Sequence, residues 1–145
     1  MVPQLALTQL EAALEEGCRK EHEWPAQVSA GLYAGVEFAI ANPDVIEWLA
    51  VGRTGEYSLD RYQTAICRLS KLLKAKVPVP RAGLPPVTEE ALIGGVIGLV
   101  GEQLRTGKID RLRSLRPELV LLTLLPYVGF EDARSWANRA ASGHV

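Results

Sequence analysis

The chain of 145 residues is long enough for one domain with a core of its own. Its apolar content is 48% with only 6% aromatics, so Ala, Leu and Val carry it, as in packed helices. A formal net charge of −1 excludes a general attraction for nucleic acid or anionic lipid, and two cysteines, Cys18 and Cys67, with no CxxC exclude a disulfide scaffold.

The opening segment carries acidic residues where a secretory signal needs basic ones. The uncharged stretches Ala91–Gly101 and Leu119–Phe130 are well short of the ~20 residues of a membrane span. A cytoplasmic protein with no membrane partner is therefore expected. The first helix is predicted from Pro3 to His22, with Leu5, Leu7, Leu10 and Leu14 near helical spacing. Trp24-Pro25 ends it, and Pro25 starts a second helix over 25–41. Asn42-Pro43-Asp44 reads as a restart, with Asn as N-cap, and the third helix is PDVIEWLAV.

Ser58 is the expected cap of a fourth helix whose stripe is Leu59, Tyr62, Ile66, Leu69 and Leu73. Residues 77–87 hold four prolines and read as an extended connector. Thr88 opens a fifth helix that ends near Thr106-Gly107. A short basic segment, KIDRLRSLR, leads to a helix that starts at Pro117-Glu118, and FEDARSWANRA forms a small last one. The expectation is one all-α domain over 1–145, with six or seven helices, no strand and no internal repeat.

Two of these helices carry more apolar surface than a monomer of this size should need. No charge stands between Glu90 and Glu102, and Leu119–Phe130 is interrupted mainly by Thr123. Either neighbours wrap both helices fully, or one face of each meets a second copy; wrapping both needs more helices than the chain offers. Gly94, Gly98 and Gly101 lie four and three apart, on one face. Glycine inside a helix costs about 1 kcal/mol against alanine, so three on one face point to a close approach by another helix.

No Ser-His-Asp set, phosphate loop or HExxH occurs, so no catalysis and no cofactor are expected. Cys18 and His22 are four apart, but two candidate ligands are not a zinc site, and no metal is expected. Glu37 is the only charge from Glu23 to Asp44 and has Ala30, Tyr33, Ala34, Ile40 and Ala41 as helical neighbours. It reads either as the polar anchor of a small-ligand cavity or as the wet face of a helix whose core side is Leu32, Val36 and Ala39. With Tyr62 it is expected to line one cavity. Lys108, Arg111, Arg113 and Arg116 read as a solvated connector.

EWPAQVSAGLYAGVEFAIANPDVIEWLAV, the Pro-rich gap, and EALIGGVIGLVGEQLRTGKIDRLRSLRPELVLLTLLPYVGFEDA together resemble the C-terminal domain of TetR/AcrR-type transcription regulators. The resemblance spans about residues 5–140 and rests on the Asn42-Pro43 restart, the Glu90–Gly95 helix start and the Leu-rich run to Pro126-Tyr127. It implies a TetR-like helical bundle that forms a homodimer through an intersubunit four-helix bundle. That seam would take Gly94, Gly98, Gly101, Leu121, Leu122 and Leu125. A small, mostly apolar effector would lie among Tyr33, Glu37, Trp48, Tyr62, Ile66 and Val96. DNA would be reached only through a helix-turn-helix that these residues do not encode. A helical module that binds another protein, without a ligand, is the alternative.

Overall fold

The computed structural model describes residues 3–51, 56–78 and 83–141. Among them the regular structure is all helical: α1 (Pro3–Arg19), α2 (Trp24–Ala41), α3 (Pro43–Val51), α4 (Glu56–Lys76), α5 (Thr88–Arg105), α6 (Ile109–Ser114), α7 (Arg116–Val128) and α8 (Phe130–Ala141). No described helix is long and apolar enough to cross a membrane.

Helices α1 and α2 form a close antiparallel pair. α1 buries Ala6, Leu7, Leu10 and Cys18 against α2, which buries Val28, Val36 and Ala39. The first helix stops three residues before His22. His22 therefore sits exposed in the turn, off the helical face that it was expected to share with Cys18. Asn42 also differs from its expected role. Its side-chain amide and its backbone N–H both donate to Phe38 O, at 3.1 and 2.8 Å, so it closes α2. Pro43 then begins α3, because a missing N–H is no loss in a first turn.

Helix α4 begins at Glu56, so Ser58 lies inside it and is not its cap. Its buried stripe, Ala65, Ile66, Leu69, Ser70 and Leu73, keeps the 3.6-residue period and faces α5 and α2. Helix α5 ends in a Schellman turn: Lys108 N–H bonds to Gln103 O and Gly107 N–H to Leu104 O, both at 3.0 Å. Gly107 takes φ +72°, which a side chain would resist. The reversal drops the short α6 beside α5 and buries Leu112 completely.

Two clusters make the core. One gathers α1 to α6 with the start of α7 around Leu49, Leu112 and Leu119. The other joins α2, α4, α5, α7 and α8 around Val120, Leu124 and Ala133. The last helix does more than the sequence suggested. It folds back along α7 after Gly129 (φ +84°) and buries Ala133, Ala137 and Ala140. At the other edge of α7, Tyr127 OH donates to Oε2 of the fully buried Glu89 at 2.6 Å, which ties the end of α7 to the start of α5. Trp24 packs edge-on against the Tyr127 ring.

Candidate functional site

The helices do not close completely where α1, α2, α4 and α5 meet. A cavity of about 90 Å³ remains there. Leu10 and Leu14 line it from α1, Gly35 and Val36 from α2, Ile46 from α3, and Val96, Ile97 and Val100 from α5. Every lining side chain is a hydrocarbon or a glycine, so water inside would have no side-chain partner. Protein cores contain few voids larger than a water molecule. The space at Gly35 is narrow: a Cβ there would stand 3.1 Å from Leu14 Cδ2.

A second chamber of about 80 Å³ adjoins the first. The two share Leu14, Leu32, Leu69 and Ile93 as walls. The second differs in chemistry, because Glu15, Cys18, Lys76 and Thr123 also line it. Glu15 Oε2 and Lys76 Nζ face each other at 3.7 Å and are partly exposed, so they mark its rim. Thr123 Oγ1 is buried with no hydrogen-bond partner, as are the hydroxyls of Ser29 and Ser70 elsewhere in the core. The Cys18 Sγ–H donates to Gln27 O at 3.1 Å. Burial pushes this thiol above its ordinary pKa; Lys76 opposes the shift and Glu15 adds to it.

The residues expected around a ligand fall at several places among the described residues. Val96 lines the first chamber. Ile66 is buried in the adjoining core, and Tyr62 packs against that core with its hydroxyl 3.2 Å from where a Cβ of Gly94 would be. The Trp48 side chain lies outside the described residues. Glu37 lies on the outer side of α2, exposed, and lines neither of these two chambers. Its carboxylate accepts from Arg113 Nε at 3.1 Å and Nη2 at 3.4 Å, and Arg116 Nη1 stands 3.5 Å away. The hydrogen bond and the charge of Glu37 raise the Arg113 pKa above its ordinary value. Arg116 also lies over the Tyr33 ring, 3.6 Å from its centre. Tyr33 and Glu37 thus belong to a clasp between α2 and the α6–α7 corner. Two arginines of the supposed solvated connector supply its other half.

The expected seam is mixed in the same way. Gly94 faces Tyr62 of the same chain, and Gly101 is buried, whereas a Cβ on Gly98 would meet nothing within 4 Å. Leu121 and Leu122 are partly buried, and Leu125 is exposed. Leu122 reaches to within 3.8 Å of a Cβ position on Gly95. Ala91, Gly95, Leu99 and Leu125 are thus the uncovered apolar positions along α5 and α7.

Sequence reasoning did not find the α1 contribution, Leu10, Leu14, Glu15 and Cys18. Its only signal was the leucine periodicity, which a cavity wall shares with a filled core. Among known proteins, no family model, no curated sequence and no solved structure matches this chain.

Proposed function

We propose that this domain is the effector-sensing and dimerising part of a TetR-like transcription regulator. The effector is a small, mostly apolar molecule. The supporting observation is the pair of adjoining, partly open chambers among α1, α2, α4 and α5, one wholly apolar and one with polar groups at its rim. Such a lining, apolar with few placed polar groups, is that of a small-molecule site. The second half of the reading, homodimerisation, rests on the uncovered apolar positions Leu99 and Leu125. DNA contact belongs to a helix-turn-helix outside these residues, and the domain itself performs no catalysis.

The test combines a filled cavity with a mass measurement. Val96→Phe should abolish uptake of xenon, read by its NMR shift, and leave the mass in solution unchanged. Gly98→Leu should do the reverse, because the added side chain starts in open space within its own chain. A wild-type protein that takes up no xenon contradicts the sensing role. A wild-type protein that is monomeric at high micromolar concentration contradicts the dimer. Strict monomers that still capture a different protein through Leu99 and Leu125 favour an interaction module.

A further inference from the structure

The second chamber carries a polar group that the surrounding fold leaves unanswered. Thr123 is 2% exposed and lines this chamber, and its Oγ1 is buried with no hydrogen-bond partner. Buried hydroxyls are nearly always paired, because a bare one has given up its hydrogen bonds to water for nothing. The other polar groups of the chamber are engaged with the protein. The Cys18 Sγ–H donates to Gln27 O, and Glu15 and Lys76 face each other at the rim. The remaining walls are hydrocarbon or glycine, among them Val28, Leu73 and Ile93.

Size and charge narrow what can answer it. An engineered cavity of about 150 Å³ takes up the six carbons of benzene, so a chamber of about 80 Å³ has room in proportion for about three non-hydrogen atoms, with about one more at its open side. A charged group beside Thr123 would stand among hydrocarbon walls, where burying a charge is costly. The rim gives it little in return, because the charges of Lys76 and Glu15 offset each other at 3.7 Å. A neutral hydroxyl meets neither cost. It can donate to Thr123 Oγ1 or accept from it, and a short alkyl group fills the rest.

Resting on the sensing role proposed above, we infer that the second chamber is a site for a short-chain neutral alcohol, with its hydroxyl paired to Thr123 and its carbons on the apolar walls. NMR titration of the full chain tests this, followed at the Val28 methyls, which line the second chamber and not the first. Propan-1-ol should bind about tenfold or more tighter than propionate, propylammonium or the bulkier benzyl alcohol. Thr123→Val keeps the side-chain shape and removes only an unpaired hydroxyl, so the variant should stay folded. It should bind propan-1-ol about fivefold more weakly and bind chloroethane, which has no hydroxyl, as well as wild type does. Propionate or propylammonium binding as tightly as propan-1-ol overturns the neutral headgroup, and tighter benzyl alcohol overturns the size. Unchanged propan-1-ol binding in Thr123→Val, or an equal loss of chloroethane, overturns the role of Thr123. A wild-type protein whose Val28 methyls do not respond to propan-1-ol overturns the site itself. In each case continued xenon uptake leaves the sensing role standing, whereas loss of xenon uptake as well overturns both.

Discussion

A Cβ on Gly17 would stand 2.8 Å from the Cβ of Ala34 and 2.9 Å from the carbonyl oxygen of Ala30. Here α1 and α2 touch almost backbone to backbone. In a free helix Gly→Ala gains about 1 kcal/mol, but overpacking a tight contact costs about 1–3 kcal/mol. The Ala30 oxygen belongs to the α2 backbone and cannot swing aside, so the second effect should win. Gly17→Ala is expected to lower stability by about 1–2 kcal/mol, seen as a lower urea midpoint at constant slope. A raised midpoint would show that the two helices part without cost.

The Tyr127–Glu89 bond joins α7 to α5 through a fully buried carboxylate. Tyr127→Phe keeps the ring against Trp24 and removes one donor from that carboxylate. The loss should be about 1–3 kcal/mol, the range for depriving a buried polar group of a partner. Chemical unfolding of the variant checks this, and an effect below about 0.5 kcal/mol would mean that the remaining contacts of Glu89 suffice.

Cys18 should give the fold an alkaline limit. The folded thiol holds its proton to higher pH than the unfolded one, whose ordinary pKa is about 8.5. Below that value the contribution is fully present. As pH rises through it toward the raised folded value, the unfolded chain binds fewer protons and stability falls. The stability difference between wild type and Cys18→Ala should therefore shrink as the pH rises above about 8.5. A constant difference would show that the thiol titrates alike in both states.

Glu37→Ala should be nearly silent. The carboxylate and Arg113 are each 46% exposed, and exposed ion pairs contribute about 0–1 kcal/mol. Xenon uptake should also be unchanged, because Glu37 lines neither chamber. A variant that loses uptake would restore Glu37 to the binding site.

The helical skeleton was legible because its stops are local. Pro43 sets the start of α3 and Gly107 the end of α5, and neither needs knowledge of distant residues. The partners of Glu37 were not legible. Periodicity shows that a residue is isolated on a face, but Arg113 lies 76 positions away and only the folded corner brings it near. The glycines show a related limit. Spacing puts Gly94, Gly98 and Gly101 on one face, but it does not single out Gly17, which no repeated pattern marks and where α1 and α2 touch almost backbone to backbone. A cavity leaves still less trace, since it comes from mismatched shapes among residues that look like ordinary core.

Leu14 is a wall of both chambers, and its Cδ2 lies 3.1 Å from where a Cβ of Gly35 would begin. The room beside Leu14 in the first chamber is therefore set by the absence of a single methyl group. A Gly35→Ala change would act as a gauge, pressing Leu14 aside and reducing that room. The capacity of the apolar chamber can thus drift or be engineered at one codon, that of Gly35, a residue that does not line the chamber with the charged rim.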